Sequence, residues 1–341
     1  MKIAIHHREG SFSERWIEYC KNKHIEFKIV NCYDSNIIEQ LKDCDALMWH
    51  HSHGNYKDLI FAKELLFALE HTGIKTFPNF NTGWHFDDKV GQKYLLEANK
   101  LPFINSYTFY DKKTAIHWAN STLFPKVFKL RGGAGSTNVK LVNTKKECNK
   151  LIKKAFNGKG NNEFNTYQAI KDYFGKFRET KQLSYIVKAI GVTFLKPNAR
   201  KLLNKDIGYV YFQDFIPKNY SDTRVIVIGN RAFAIKRLVR ENDFRASGSG
   251  KIIYDKNEIN LSCVNLSFHV AQKIKSHCIA IDFVFNDNNN PLIIEISYGF
   301  SADAYKKCPG YWDADLNWHN EPVKPEDFII EDLINNNKSS K

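Results

Sequence analysis

The first 80 residues alternate short apolar runs with amphipathic stretches, and this alternation constrains the fold more than any other feature. The apolar runs predict strands at residues 2–6, 25–31, 46–50 and 74–77. The stretches between them predict helices at residues 12–23, 35–41 and 58–71. Strand–helix alternation at this spacing is typical of a small parallel α/β sheet. The segment has no G-x-G-x-x-G motif, so it is not an evident dinucleotide-binding unit.

The rest of the chain shows a mixed α+β pattern. A hairpin is predicted between residues 124 and 142, where two strand-like segments flank a Gly-rich turn. Further helices are predicted at residues 87–99, 112–120 and 264–276, and further strands at 208–216, 223–228, 231–239, 279–285 and 292–296. We therefore expect an α/β domain, two α+β lobes and a disordered tail, over residues 1–85, 86–207, 208–334 and 335–341.

Positive charge is concentrated in one segment of the chain, whose net charge is +13. Between residues 145 and 205 there are 15 Lys and Arg against 4 Asp and Glu, a surplus of 11. Residues 157–205 therefore look like a basic insertion in the first lobe. Its surface would suit an anionic partner such as a glycan phosphate or a membrane headgroup, and we do not expect nucleic acid. A solvated insertion without a partner is the alternative.

The sequence does not predict a membrane span or a secreted protein. No apolar run approaches the ~20 residues that cross a bilayer, and the N-terminus turns polar after five residues. The seven cysteines are widely spaced without a C-x-x-C pair, which indicates neither a disulfide framework nor a zinc knuckle. These features predict a cytoplasmic protein, with peripheral attachment at the inner membrane as an option.

Two carboxylates are predicted to face each other in the run IDFVFNDNNNPLIIEIS, where a polar turn separates two apolar strands. We take Phe285 to pair with Leu292. Counting outward then places Asp282 opposite Glu295, and the two-residue period of a strand puts Ser297 on the same face. Opposed carboxylates repel unless a cation lies between them, and such oxygen ligands suit Mg²⁺ bridging nucleotide phosphates. A solvent-facing side of a hairpin is the alternative.

The Gly-rich turn at residues 131–136 is a second candidate for ligand binding. Glycines let the backbone approach a ligand and point N–H groups at phosphate oxygens, which the neighbouring Lys129 would also reach. An ordinary hairpin turn is the alternative, because a strand and not a helix follows the glycines. Arg224, Arg237 and Arg245 supply positive charge of the kind that a transferring phosphoryl group requires.

In this order, the motifs resemble the ATP-grasp superfamily over roughly residues 86–298. The resemblance is carried by FDDKVGQKYLL, FPKVFKLRGGAGS, VYFQDFI, SDTRVIVIG, AFAIKRLV, NDFRASGSG and EIS. It implies an N-terminal pre-ATP-grasp α/β domain followed by two lobes that hold ATP between them. One departure is the last motif, which is usually E-x-N and here ends in Ser297. A serine hydroxyl is a weaker metal ligand than an amide carbonyl, so the number of metal ions is left open.

The resemblance also implies roles for single residues. Lys89 and Lys129 would hold the ATP phosphates, with Arg224 in the same ATP-binding set. The loop that closes over the phosphates would contain Gly132, Gly133, Gly135 and Ser136. The hinge segment that meets the adenine would consist of Gln213, Asp214, Phe215 and Ile216. One or two Mg²⁺ ions, with Mn²⁺ as an alternative, would be bound by Asp282, Glu295 and Ser297. The acceptor and the transferred phosphate would be faced by Arg237 and Arg245.

The usual chemistry of the family is the ligation of a carboxylate to an amine, or to a thiol, through an acyl phosphate. The motifs FNTGWHFDDKVGQ, ENDFRASGSG and CPGYWDADLNWH are similar to those of ATP-grasp proteins associated with bacterial surface-polysaccharide biosynthesis. This similarity implies a precursor that bears a sugar or an amino acid. A kinase that transfers the γ-phosphate to a hydroxyl and a nucleotide-binding module without catalysis are the alternatives, and a homodimer is an option.

A histidine cluster falls at the ends of two predicted parallel strands and consists of His6, His7, His50, His51 and His53. Open α/β sheets bind ligands at the carboxyl ends of their strands, so a pocket for the acceptor is one hypothesis. A zinc site is a weaker alternative, because no supporting partners for metal-bound histidines are apparent.

Overall fold

The computed structural model of the chain describes residues 1–132, 138–158, 160–161, 183, 186, 206–241 and 243–335. Its N-terminal part confirms the predicted parallel sheet, in the strand order β2-β1-β3-β4. The strands are β1 (Ile3–His6), β2 (Phe27–Val30), β3 (Ala46–Met48) and β4 (Lys75–Phe77). The helices between them are α1 (Ser13–Asn22), α2 (Ile37–Gln40) and α3 (Tyr56–His71).

A second, antiparallel sheet has the strand order β5-β8-β6-β7. Its strands are β5 (Ser106–Phe109), β6 (Lys126–Lys129), β7 (Val139–Val142) and β8 (Val210–Asp214). The helices of this region are α4 (Phe80–Gly83), α5 (Lys89–Ala98), α6 (Lys112–Ser121) and α7 (Lys145–Phe156). The predicted hairpin is confirmed, because β6 pairs with β7 from Lys126 opposite Val142 to Lys129 opposite Val139.

Strand β8 differs in its placement from the expected lobe division. The sequence pattern assigned residues 208–216 to the second lobe, but β8 pairs with β5 and β6 of the first lobe. We therefore propose that the division falls after residue 216. Most of the predicted insertion at 157–205, the loop residues Gly133, Gly135 and Ser136, and residues 336–341 of the predicted tail lie outside the described residues.

A third sheet has the strand order β13-β12-β9-β10-β14-β15, and β11 pairs with β10. Its strands are β9 (Ser221–Ile228), β10 (Arg231–Leu238), β11 (Ile252–Ile253), β12 (Cys278–Phe285), β13 (Pro291–Ser297), β14 (Tyr311–Asp313) and β15 (Trp318–His319). The helices here are α8 (Leu261–Lys273) and α9 (Pro325–Asn335), with 3-10 turns at Lys256–Glu258 and Ala302–Tyr305. None of the helices in the described ranges is long and apolar enough to cross a membrane.

The register of β12 and β13 places the two predicted carboxylates in one pair, although the assumed starting pair is wrong. Phe285 pairs with Pro291 and not with Leu292. A bulge next to Asp282 adds one residue to β13, and the shift of one position is thereby cancelled. As a result Asp282 lies opposite Glu295.

The third sheet carries the hydrophobic core on both of its faces. One face packs on the N-terminal domain, where Ile226 and Phe233 share a buried cluster with Ile5 and Trp16. The other face packs on α8 and α5 through a second buried cluster. Helix α9 closes the first cluster against α1, because Arg15 pairs with Asp327 at 2.6 Å. The N-terminal domain therefore shares one core with the lobe that carries the carboxylate pair.

Candidate active site

A cavity of about 260 Å³ lies between the second and third sheets. It brings together residues that are far apart in the sequence, because β6 and β8 contribute to one wall and β12 and β13 to the other. The predicted residues that line it are Lys89, Lys129, Gln213, Asp214, Phe215, Ile216, Arg224, Arg245, Asp282, Glu295 and Ser297. Arg237 and Gly132 are described by the structure but are not among the lining residues.

Two buried lysines line the cavity, one at the start of α5 and the other at the end of β6. Lys89 begins α5, which Asp88 caps by accepting a hydrogen bond from Gly91 N, and its Nζ lies 3.3 Å from Glu295 Oε1. Lys129 ends β6, is only 5% exposed, and has no hydrogen-bond or ion-pair partner within the described part of the chain. Burial lowers the pKa of Lys129 to about 8, although the Glu295 carboxylate acts in the opposite direction. The site thus holds a buried amine that an anion would stabilise.

The carboxylate Asp282 is held by two arginines. Arg224 makes a bidentate pair with it, Nε to Oδ1 at 2.5 Å and Nη2 to Oδ2 at 2.6 Å. Arg237 adds a contact from Nη2 to Oδ2 at 3.0 Å. Burial alone would raise the pKa of Asp282, but the two guanidinium groups hold it well below its ordinary value. The expected repulsion between the opposed carboxylates is therefore relieved by arginines of the protein itself.

Arg237 and Arg245 lie at different depths. Arg237 is buried beside the cavity and also pairs with Asp222, Nε to Oδ1 at 2.7 Å. It reaches the cavity only through Asp222 and Asp282, which both line it. Arg245 lines the cavity itself, and its Nε lies 2.8 Å from Asp243 Oδ2. Of the two arginines, only Arg245 is placed for direct contact with a ligand.

The predicted adenine segment connects the two lobes. The side chain of Gln213 is buried and donates to Ser106 Oγ at 3.2 Å. Asp214 pairs with Lys126 Nζ at 2.5 Å. Both side chains are thus engaged by the protein, although all four residues of the segment line the cavity.

The base of the Gly-rich turn is fixed next to α5. Lys89 N donates to Arg131 O at 3.0 Å, and Arg131 Nη2 lies 2.6 Å from Asp88 Oδ2. A Cβ atom at Gly132 would lie 3.1 Å from Asp87 Oδ2, so this position has little space for a side chain. The first described residue of the predicted loop therefore adjoins the start of α5, where Lys89 enters the cavity.

The carboxylate pair suits one Mg²⁺ better than two. The described residues contain no group of three or more His, Cys, Asp and Glu side chains that could hold a metal ion. Ser297 Oγ donates to Gly299 O at 2.9 Å and accepts from Gly299 N at 3.2 Å, so it is engaged locally. Mg²⁺ is commonly held by one or two carboxylates together with phosphate oxygens and water. Glu295, whose side chain is 32% exposed, fits that pattern.

A second cavity of about 1000 Å³ lies between the N-terminal domain and the third sheet, and sequence reasoning found it only in part. His50, His51 and His53 of the histidine cluster line it, whereas His6 accepts a hydrogen bond from Cys32 N and is not among the lining residues. The second cavity adjoins the first, because both are lined by His53, Phe86, Arg224 and Gly299. In the sequence, the second cavity is indicated only by the position of the histidines at the ends of the predicted strands.

Phe244 is a lining residue to which the sequence assigned no role, and Asp222 carried the resemblance as part of SDTRVIVIG but was given no role of its own. Asp222 stands two positions before Arg224 on β9, so the strand period was the available signal. Phe244 lies 5.8 Å from Phe215 in an edge-to-face contact between ring centroids. This contact joins two distant loops, and no local pattern in the sequence indicates it.

Comparison with known proteins gives a family match and a set of similar folds. Residues 181–308 match the model of the RimK-like ATP-grasp domain. No curated protein matches the chain. A RimK domain ATP-grasp protein from Sphaerobacter thermophilus DSM 20745 is 12% identical with a TM-score of 0.54, over 90% of this chain and 95% of that one.

Two further solved structures are similar over nearly their whole length. The ATP-grasp ligase PsnB, complexed with precursor peptide PsnA2 and AMPPNP, is 12% identical with a TM-score of 0.54, over 99% of this chain and 98% of that one. The D-cycloserine synthetase DcsG is 11% identical with a TM-score of 0.57, over 98% of this chain and 99% of that one. These findings confirm the predicted resemblance to the ATP-grasp superfamily: the chain has the ATP-grasp fold, and its residues 181–308 match the RimK-like ATP-grasp model.

Proposed function

We propose that the protein is an ATP- and Mg²⁺-dependent ligase that joins a carboxylate to an amine, or to a thiol, through an acyl phosphate. The observation that carries the proposal is the buried, unpartnered Lys129 amine in a cleft between two lobes, across from the Asp282–Glu295 pair. The ATP-grasp fold supports it, because proteins with similar folds include the ligase PsnB and the synthetase DcsG.

The phosphates of ATP would be bound by Lys89 and Lys129. Lys129 is stabilised as a cation when phosphate oxygens replace the solvent that burial has removed. Lys89, which pairs with Glu295, would share its charge between that carboxylate and the phosphates. The adenine would lie against the connecting segment, where Phe215 and Ile216 line the cavity while the side chains of Gln213 and Asp214 are engaged by the protein.

The carboxylate pair would hold the metal. Mg²⁺ bound there would neutralise part of the phosphate charge, with Glu295 as its main protein ligand and phosphate oxygens completing the site. Asp282 contributes through an oxygen already shared with arginines, and Ser297 stays bonded to Gly299. A single ion follows from this donor set, and Mn²⁺ is an alternative to be tested.

The chemistry has two steps that balance in charge and atoms. The substrate carboxylate attacks the γ-phosphorus of ATP, which forms an acyl phosphate and releases ADP. The amine then attacks the acyl carbon, which forms an amide and releases phosphate and a proton. Arg245, which lines the cavity, stabilises negative charge on the transferring phosphoryl group. Arg237, which does not line the cavity, acts as a positioning residue, because it orients Asp222 and Asp282.

The identity of the substrates is predicted only by the sequence resemblance. The resemblance points to a precursor of a bacterial surface polysaccharide that bears a sugar or an amino acid, without identifying it. The cytoplasmic location, the membrane attachment, the homodimer and the anionic partner of residues 145–205 likewise stay predictions.

The test is ADP release with ATP and Mg²⁺ or Mn²⁺ across a panel of carboxylates, with and without amines. The panel includes uronic acids, their nucleotide-linked forms and amino acids. Turnover that needs a carboxylate and rises with an amine supports the ligase, and turnover with an alcohol alone supports a kinase instead. Lys129→Met and Glu295→Gln should each abolish the release of ADP. Lys93→Met is the matched control, since Lys93 lies one turn along α5 from Lys89 and pairs with Glu97.

A further inference from the structure

Among the cations that line the second cavity, Arg8 and Lys324 form no ion pair within the described ranges, and only Arg8 is partly buried. Five cationic side chains line it, and three of them are ion-paired: Arg15 with Asp327, Lys306 with Asp303, and Arg224 with Asp282. Lys324 is exposed to solvent. Arg8 is half-buried and, within the described ranges, forms no ion pair, although its charge acts at longer range on the Asp58 carboxyl group and counters part of the rise in pKa that burial causes there. Its Nε has no hydrogen-bond partner within the described part of the chain, and its Nη2 makes only a long contact of 3.4 Å with His50 O.

The surroundings of Arg8 favour an anion. Burial, together with the nearby charge of Arg8, lowers the pKa of His50 to about 3, so the imidazole is neutral and adds no charge of its own. Helix α1, ten residues long, begins at Ser13, and the cavity is lined by Ser11 and Phe12 just before it. The positive end of the helix dipole therefore points toward the same cavity. The Arg8 guanidinium thus favours an anion, and the helix N-terminus adds to it only in part, because Glu14 lies in the first turn of the helix and offsets its dipole.

The acidic side chains of the cavity limit the charge that this anion can carry. Four of them line the same space, namely Glu14, Glu18, Asp303 and Glu326. A phosphate dianion would meet their repulsion with one unpaired guanidinium to offset it, whereas a carboxylate brings a single negative charge that Arg binds in a bidentate geometry. A volume of about 1000 Å³ reaches the upper end of the range for sites of drug-sized ligands. The cavity thus has room for more than a free amino acid.

We propose that Arg8 binds a non-reacting carboxylate on the second substrate, so that the amine partner of the ligation carries an acid group at a distance from its nucleophile. This inference rests on the proposed function, because only a ligase would use an amine as its second substrate. The shared walls at Arg224 and Gly299 would let a molecule anchored at Arg8 extend its amine into the first cavity. Arg8 is then a specificity-determining residue that acts by binding.

The test uses arginine-selective modification by phenylglyoxal, followed by mass spectrometry of the modified peptides. Arg8 should react at least tenfold faster than Arg15, which lines the same cavity but pairs with Asp327 and Glu18. Millimolar benzoate or succinate should slow the reaction at Arg8, benzamide should not, and inorganic phosphate should protect less than the carboxylates. Equal rates at the two arginines, no protection by either carboxylate, or stronger protection by phosphate would each overturn the proposal.

A turnover experiment separates this inference from the proposed function. Arg8→Met is expected to raise the KM for the amine roughly tenfold to a hundredfold while the KM for ATP stays constant. Lys306→Met is the matched control, because Lys306 lines the same cavity but is paired with Asp303 and exposed. Arg8→Lys keeps the positive charge but lacks the paired N–H donors of the guanidinium group. It should therefore recover part of the lost affinity for the amine. Equal effects on both KM values would overturn the role of Arg8, whereas absence of ATP turnover in the wild type would overturn the proposed function and leave the modification experiment decisive.

Discussion

Replacing the buried Lys129 by Met should stabilise the protein and weaken ATP binding at the same time. The pKa of this lysine is lowered by burial from 10.5 to about 8, and at 1.36 kcal/mol per pH unit the charge costs about 3 kcal/mol at pH 7. Lys129→Met removes that cost, so its free energy of unfolding without ATP should exceed that of the wild type by up to about 3 kcal/mol. Urea titration at pH 7 measures this difference.

The pH dependence of the free energy of unfolding follows from the direction in which folding shifts the pKa of Lys129. Between the folded pKa near 8 and the ordinary value of 10.5, the unfolded chain holds a proton at Lys129 that the folded protein has released. The wild type therefore gains stability as the pH rises through this window, and the advantage of the Met variant shrinks to about 1.4 kcal/mol at pH 9.5. A difference that is constant between pH 7 and pH 9.5 would refute the assignment of the cost to the buried charge.

A matched lysine on the same strand should behave in the opposite way. Lys126 is also buried on β6, but its amine pairs with Asp214, so Lys126→Met leaves a carboxylate without its partner and should lower the free energy of unfolding by about 1 kcal/mol. Titration calorimetry should show that Lys129→Met binds AMPPNP with an affinity roughly tenfold to a hundredfold lower than the wild type does. Unchanged affinity in that variant, or destabilisation by both substitutions, would show that Lys129 is a structural lysine.

Three further substitutions test other parts of the site. Glu295→Gln should abolish Mg²⁺-dependent ADP release with its unfolding midpoint retained, whereas Ser297→Ala should keep turnover; loss of turnover in the alanine variant would contradict a metal held mainly by the glutamate. Asp282→Asn leaves buried arginines without their carboxylate and should lower the free energy of unfolding by about 3–5 kcal/mol in urea, and a change below about 1 kcal/mol would mean that the network is solvated. Gly229→Ala would place a Cβ atom 2.1 Å from Asp332 Oδ2 at a φ of +55°, so its thermal midpoint should fall, and an unchanged midpoint would argue against this packing.

Local patterns in the sequence predicted most of the elements and the central pair of the site. The alternation over the first 80 residues predicted the parallel sheet, because strand and helix periods are properties of neighbouring residues. Asp282 and Glu295 were also placed opposite each other, but from a starting pair that is off by one residue at Phe285. The bulge that cancels this shift leaves no mark in a pattern of alternating apolar residues.

The features that the sequence did not predict depend on contacts between distant segments. The pairing of Arg224 and Arg237 with Asp282 joins three strands, and a strand pattern shows that a side chain faces inward but not which charge it meets. The placement of β8 in the first-lobe sheet and the extent of the second cavity have the same origin. Each arises when elements separated by tens to hundreds of residues come together.

The packing of α9 on α1 means that the N-terminal domain is completed by a much later part of the chain. Its core cluster includes Val323 and Ile330, which follow Phe77 by about 250 residues. At a synthesis rate of roughly 5–20 residues per second, α9 is made about 12–50 s after β4. Until then the side of the core that α9 covers, beside Trp16, has no helix over it on the nascent chain.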